Sequence, residues 1–455
     1  MEKNQSYYST NFQSPHTTFK EALLKGLAPD GGLYMPASLP LLSSREIESF
    51  SGKDYHEIAF LILNKLIGKE IDKENLQTIC HDAYNFDVPL EKVCDRKFIM
   101  RLDQGPTASF KDFAARMMSR LMQYYLSVNN QHLTILTATS GDTGSAVASA
   151  FYGLKNINVI ILFPANEVTV MQRKQMTTLQ KNIQVIAIDG KFDDCQRLVK
   201  KAFIDPSLSM IPLSSANSIN IGRLLPQSVY YFYSWSKLSE SAEDKAIFSV
   251  PSGNFGDLMG GLIARNMGLP VSKFIAATNE NDEFPEFLRT GNYKPINPSR
   301  NCISSAMNVG HPSNLARIVT IYGGVMDETG KITKAPDLKK MREDFFAVSA
   351  TDKKTRETIA DSYKSYRILL EPHGAVAWYG INEYFRHNKG FDSGKQLCIS
   401  LETAHPAKFP EEFRQIINID PPLPPSLTGL ASKSENYFPL ENDYQALKEF
   451  ILKNN

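Results

Sequence analysis

The chain reads as an α/β protein: two related, open, mostly parallel sheet lobes facing each other, preceded by a small module. Three observations predict this. From Lys97 onward, short apolar runs alternate with longer amphipathic stretches, the pattern of a parallel sheet covered by helices. Two of those runs open into the same motif, strand then S-G-x-x-G then helix, at Ser140-Gly141-Asp142-Thr143-Gly144 and at Ser252-Gly253-Asn254-Phe255-Gly256. A length of 455 residues also exceeds what one ordinary core organises, so several packed units are expected.

Taken in order, residues 1–95 form the N-terminal module, marked by the turn Pro29-Asp30-Gly31-Gly32 and by helical periodicity from Asp54 through Ile67. Residues 96–410 form the two-lobed core. Its candidate strands are Leu133 to Ala138, Asn158 to Phe163, Gln184 to Ile188, Ala246 to Val250, Lys273 to Thr278 and Gln396 to Leu401. The helices after the two glycine loops finish at Gly153-Leu154 and Gly268-Leu269, and Gly is common just past a helix end. Residues 411–455 are dense in proline from Asn418 to Gly429 and close on an amphipathic helix, Asp443 to Leu452, so this segment is expected to wrap the surface.

Composition narrows the function. With 42% hydrophobic and 22% charged residues the chain is globular, and a net charge of +1 supplies no broad field for nucleic acid or an anionic membrane. Any anion site must be local. Cys80, Cys94, Cys195, Cys302 and Cys398 are scattered, odd in number and free of C-x-x-C pairs, which argues against a disulfide framework or a zinc knuckle and fits a reducing cytoplasm. The stretch Met1 to Lys20 is polar without a signal-like apolar core, and no run approaches the ~18 apolar residues of a membrane span. No repeat period supports a scaffold. The histidines, His311, His373 and His405 among them, show no metal-ligand spacing and read as core or turn residues; His405, beside Thr403, is the one to test.

A glycine turn between strand and helix exposes backbone N–H groups at the positive end of a helix dipole. One such loop serves equally as a tight turn; two suggest two bound anions, such as a cofactor phosphate and a substrate carboxylate. Neither loop is a Walker A or G-x-G-x-x-G motif. Lys111 follows the Gly105-Pro106 turn and starts an amphipathic helix running to about Met122, with Ser109 and Asp112 placed as a capping box. A cap does not need a lysine. An ammonium at a helix start between Phe110 and Phe113 is disfavoured, which lowers its pKa and leaves a neutral amine able to form a Schiff base with an aldehyde.

Together these segments resemble the fold-type II pyridoxal-phosphate enzymes, of tryptophan synthase β-like fold, and more closely the threonine synthases. The resemblance runs from near residue 28 to near residue 410. It rests on Ala28 to Tyr34 (A-P-D-G-G-L-Y), Ser109 to Phe113 (S-F-K-D-F), Thr139 to Gly144 (T-S-G-D-T-G), Pro251 to Asp257 (P-S-G-N-F-G-D), Glu371 to Ala375 (E-P-H-G-A) and Glu402 to Phe409 (E-T-A-H-P-A-K-F).

It implies pyridoxal 5'-phosphate as cofactor, with Lys111 as the Schiff-base lysine and Gly253, Asn254, Phe255, Gly256 and Asp257 cradling its phosphate. Thr403 would bond the pyridine nitrogen, and a hydroxyl, unlike a carboxylate, would not hold that nitrogen protonated. Ser140, Gly141, Asp142, Thr143 and Gly144 would take the substrate carboxylate, while Asn217, Ser218 and above all Arg223 would take a substrate phosphate. The implied reaction turns O-phospho-L-homoserine and water into L-threonine and phosphate, by γ-elimination and β-addition of water. The implied protein is a cytoplasmic monomer or homodimer without nucleic-acid or membrane partners, and residues 121–203 would form a closing lobe. Serine or threonine dehydratases and β-replacing synthases would share the lysine and the loops but need no second phosphate site. A noncatalytic ligand-binding homologue is a reading of another class.

Overall fold

The computed structural model describes residues 5–389 and 394–454; residues 1–4, where the polar N-terminal stretch begins, residues 390–393, and residue 455, at the end of the last segment, lie outside the described residues. Strands β1 (Leu90–Cys94), β2 (Lys97–Arg101), β3 (Leu133–Ala138), β4 (Ile157–Pro164), β5 (Ile183–Ile188), β6 (Leu213–Ser214), β7 (Ala246–Pro251), β8 (Val271–Thr278), β9 (Phe345–Ser349), β10 (Cys398–Glu402) and β11 (Phe438–Leu440) build two sheets. The larger has the order β9-β8-β7-β10-β2-β1 and is parallel except for the β1–β2 hairpin. The smaller, β11-β5-β4-β3-β6, is parallel throughout.

Parallel strands covered by helices on both faces read as continuous apolar runs rather than alternating ones. β3 and β7 are accordingly buried at every position, and all six expected strands are present to within two residues at either end. The helices that matter below are α1 (Lys111–Asn129), α2 (Asp142–Phe151), α3 (Val170–Thr177), α4 (Ile221–Leu224), α5 (Gly256–Asn266) and α6 (Pro372–His387). α2 and α5 start directly from the two glycine loops, and each is followed by a glycine at positive φ, Gly153 and Gly268.

Two local expectations change. α1 runs past Met122 to Asn129, because Tyr125 and Leu126 extend the buried stripe of Phe113, Met117, Met118 and Leu121. The Ser109–Asp112 capping box does not form. Asp112 instead turns back on the preceding loop and accepts from the Thr107 N–H (2.8 Å) and hydroxyl (2.7 Å), while the buried Ser109 hydroxyl has no partner. That clamp shapes the Gly-Pro turn delivering Lys111.

The N-terminal residues pair Tyr7–Ser9 with Tyr34–Pro36 and form a helix, Tyr55–Ile67, closed by an Asp54–Glu57 capping box. Their apolar side chains join one cluster that continues through Phe113, Ile135 and Phe248, so this module packs into the core of both lobes. The tail does more than wrap. β11 adds an edge strand beside β5, and the closing helix Tyr444–Lys453 seats Leu447 and Ile451 on the small lobe. Arg173 pairs with Glu435 at 2.8 Å to tie the tail down. All five cysteines are free, and among the described residues no helix is long and apolar enough to cross a membrane.

Candidate active site

In both sheets the glycine loops leave the carboxyl ends of central strands, where crevices form in open α/β sheets. In the larger lobe, β7 ends at Pro251 and α5 begins at Gly256, preceded by Phe255 at φ 58. That left-handed residue is strained for a bulky side chain, and its ring rests against Phe284 at 4.9 Å. No described residue accepts from the backbone N–H groups of Gly253, Asn254 or Phe255, so they gather at the helix start as an anion cradle. Gly253 must be glycine, since a Cβ there would lie 2.7 Å from Met307 Cα. Gly253→Ala is therefore expected to cost about 1–3 kcal/mol of stability and to weaken phosphate binding in a cofactor titration.

The side chains of this loop face away from the cradle. Asn254 Nδ2 donates to Ser218 Oγ at 2.6 Å, and its Oδ1 accepts from the Ser313 N–H at 2.7 Å. Asp257 accepts from the hydroxyls of Tyr230 (2.5 Å) and Tyr231 (2.9 Å). Burial raises its carboxyl to about 6 against the opposing pull of both tyrosines. The cradle is thus a backbone feature, as a phosphate beside a carboxylate requires.

Lys111 opens α1, its Nζ 4.7 Å from the centre of the Phe110 ring. Burial lowers its pKa, Asp142 opposes that, and Lys408 and Arg223 push it further down. The amine is thereby drawn toward the neutral form, as its position at the helix start anticipates.

Facing it from the smaller lobe is the loop that starts α2. Gly141 has φ 130, and Thr139 Oγ1 accepts from the N–H of Gly141 (2.9 Å) and of Gly144 (2.8 Å), which leaves the Asp142 and Thr143 N–H groups without described acceptors. Ser140 and Thr143 are half-buried. The Asp142 side chain is taken: its Oδ1 binds Lys408 Nζ at 2.5 Å and Gln172 Nε2 at 2.9 Å, and its Oδ2 lies 3.8 Å from Lys111. Of this loop, backbone and hydroxyls remain for a ligand, and the carboxylate does not.

Arg223, on α4, is buried with 4% of its surface exposed. Its Nη1 donates to Ala216 O at 2.7 Å, its Nε has no partner, and no carboxylate among the described residues pairs with it. Burial lowers it to about 10 against the longer-range pull of Asp112, so it stays a cation at neutral pH with no carboxylate in direct contact among the described residues. A buried charge in that condition is stabilised by an anion. Asn217 and Ser218 precede it, with Asn217 Nδ2 on Ala138 O at 2.9 Å. Arg317, which sequence reasoning passed over, organises this corner: it donates to Tyr34 O, Ser218 O, Ile219 O and Asn314 Oδ1, all within 3.2 Å. Its signal is only visible in three dimensions, because all its partners but Asn314 are backbone carbonyls distant in sequence.

Thr403 follows β10, and its carbonyl accepts from the Phe110 N–H at 2.9 Å, which places it beside Lys111. Its hydroxyl lies 3.2 Å from Glu371 Oε1. Glu371 caps α6, accepting from the N–H groups of His373 (2.7 Å) and Gly374 (2.9 Å). His373 Nδ1 also contacts Glu371, and His373 Nε2 accepts from the Ala306 N–H at 3.1 Å. His373 thus ties the Thr403 corner to the loop packed over Gly253. His405 accepts from the Ala407 N–H at 3.1 Å, and burial, helped by Arg101 and Lys408, lowers it to about 4, so the imidazole stays neutral.

An amine whose charge burial disfavours calls for an electrophile and the amide cradle calls for a phosphate; one molecule that satisfies both is an aldehyde with a phosphate tail. The residues fit such a group, and the class they define is that of the pyridoxal-phosphate-dependent enzymes. Comparison with known proteins agrees. The family model for pyridoxal-phosphate dependent enzymes matches residues 74–401, that for the threonine synthase N terminus residues 6–84, and that for the threonine synthase C-terminal region residues 375–451. The chain is 40% identical over 454 residues to the threonine synthase of Buchnera aphidicola subsp. Schizaphis graminum, covering 98% of this chain and 99% of that one. It matches the pyridoxal-phosphate-bound threonine synthase of Brucella melitensis with TM-score 0.90 and 34% identity, over 99% of both chains. For the threonine synthase of Escherichia coli the TM-score is 0.88 at 36% identity, covering 99% of this chain and 100% of that one. The chain belongs to the threonine synthase family.

Proposed function

We propose that the chain converts O-phospho-L-homoserine and water into L-threonine and phosphate. The observation that carries this reading is Arg223, a buried guanidinium with an unpartnered Nε and no carboxylate within ion-pair distance among the described residues, close enough to Lys111 to act on its charge. A dehydratase acting on serine or threonine would leave that charge unanswered, whereas a phosphorylated amino acid brings the missing anion.

Lys111 would hold the cofactor, the amides of Gly253, Asn254, Phe255 and Gly256 would hold its phosphate with Asp257 anchoring the helix behind them, and Thr403 would offer its hydroxyl to the ring. The cofactor supplies, when bound, an electron sink for negative charge next to the substrate amine. The substrate carboxylate rests on the amides and hydroxyls of Ser140 to Gly144, and its phosphate on Arg223, Ser218 and Asn217. Lys111, with its amine free, takes the Cα proton. The phosphate takes up a Cβ proton as the Cγ–O bond breaks and leaves as hydrogen phosphate; water adds its oxygen at Cβ and gives up one proton, and that proton and the one held by Lys111 go to Cγ and Cα.

Water must enter only after phosphate has gone, which calls for a closing element. We assign that to residues 121–203 of the core at 96–410, moving with the tail strand and helix of the 411–455 segment, against the N-terminal module at 1–95. A cytoplasmic monomer or homodimer suits this reading. The test is the product: protein supplied with pyridoxal phosphate and O-phospho-L-homoserine is expected to release phosphate and threonine in equal amounts. Ketoacid and ammonia in their place would favour the dehydratase reading.

A further inference from the structure

Lys408 is fully buried, its Nζ bound to Asp142 Oδ1 at 2.5 Å and to Thr107 O at 3.1 Å. Asp142 therefore stands between two lysines, close to Lys408 and at 3.8 Å from Lys111. Burial pushes the Asp142 carboxyl up, but Lys408 and then Lys111 outweigh it and hold the group well below the ordinary carboxylate range. An ionised carboxylate so close to the reactive amine is a hazard, because a tight ion pair would keep that amine protonated and unable to attack an aldehyde. It is equally a hazard for binding a substrate carboxylate at the loop that carries it.

We propose that Lys408 is a positioning residue for the reactive lysine: by occupying Asp142 it withholds that carboxylate from Lys111 and neutralises the loop on which the substrate carboxylate rests. Two features support it beyond the distances. Gln172 takes the same Oδ1 that Lys408 binds, so the carboxylate is turned toward Lys408 by a second donor from α3. Thr107 O receives both Lys408 and Gln175 Nε2 (3.0 Å), so the ammonium is fixed on the turn that delivers Lys111. The other charged groups facing Lys111 are Arg223 from α4, Glu371 from the start of α6 and Asp257 from α5; Asp112, on its own helix, is engaged by Thr107. Of the acids, Asp142 has the largest effect on Lys111, and it is the one Lys408 holds.

The inference rests on Lys111 being the cofactor lysine. Its test is the pH dependence with which the full chain, stripped of cofactor, takes up pyridoxal phosphate covalently, followed by absorbance. Lys408→Gln keeps hydrogen-bonding capacity toward Asp142 and Thr107 but removes the charge, so Asp142 turns to Lys111 and the midpoint for attachment is expected to rise by about 1–3 pH units. Adding Asp142→Asn to that variant is expected to bring the midpoint back toward the unmodified chain. Should Lys408→Gln not be recovered folded, Lys408→Met carries the same comparison. A midpoint unmoved by the single change, or left high in the double, overturns the role of Lys408. Covalent attachment that survives Lys111→Ala would instead overturn the assignment of Lys111.

Discussion

Lys111→Ala is expected to give a folded protein that attaches no cofactor covalently and turns over at least about 10⁴-fold more slowly. The size follows from the number of tasks given to one amine. It binds the cofactor, takes the Cα proton and returns a proton, and each depends on the neutral form being reachable at the working pH. Burial, Lys408 and Arg223 all favour that form, with Asp142 the main opponent. Stability is expected to hold, since removing an amine whose charge burial disfavours takes away no buried ion pair closer than 3.8 Å. The check is an absorbance spectrum of the bound cofactor, taken with a thermal melt.

Arg223→Met is expected to raise KM for O-phospho-L-homoserine by roughly 30- to 1000-fold, about 2–4 kcal/mol of binding, with cofactor content unchanged. The free protein is expected to melt no earlier than the unmodified chain. Breaking a buried ion pair destabilises, but Arg223 feels Asp112 only beyond ion-pair distance, and a methionine removes a desolvated charge while keeping the apolar stem. The two outcomes together separate a ligand-binding arginine from a structural one. Arg317 is the contrast: its guanidinium is spent on carbonyls that join Tyr34 to Ser218 and Ile219, so its loss would be felt as instability.

Much of this was legible from residue order. Strands β3 and β7 are short apolar runs ending in glycine turns, and a parallel sheet buried on both faces leaves that mark whatever its partners are. Lys111 between two phenylalanines at a helix start is likewise a local pattern with a local consequence. The losses are side-chain directions. Asp112 lies at the right spacing to cap with Ser109, yet Thr107 offers it two donors and wins. Asp142 belongs to the loop matched to substrate binding, but its carboxylate turns to Lys408 and Gln172, one far off in the chain and the other on a separate helix. Nothing in the spacing of residues announces such pairs. The tail strand β11 escaped for a related reason: Phe438–Leu440 is too short and too exposed to stand out before β5 is there to pair with it.

The account turns on which amine carries the cofactor, and Lys111 and Lys408, on either side of Asp142, compete for that place. Borohydride reduction of the protein loaded with pyridoxal phosphate, followed by proteolysis and mass mapping, identifies the modified residue. The cofactor mass is predicted on the peptide containing Phe110-Lys111-Asp112 and on no other. Its appearance on Lys408, or a loaded protein that yields no modified lysine, would contradict the account.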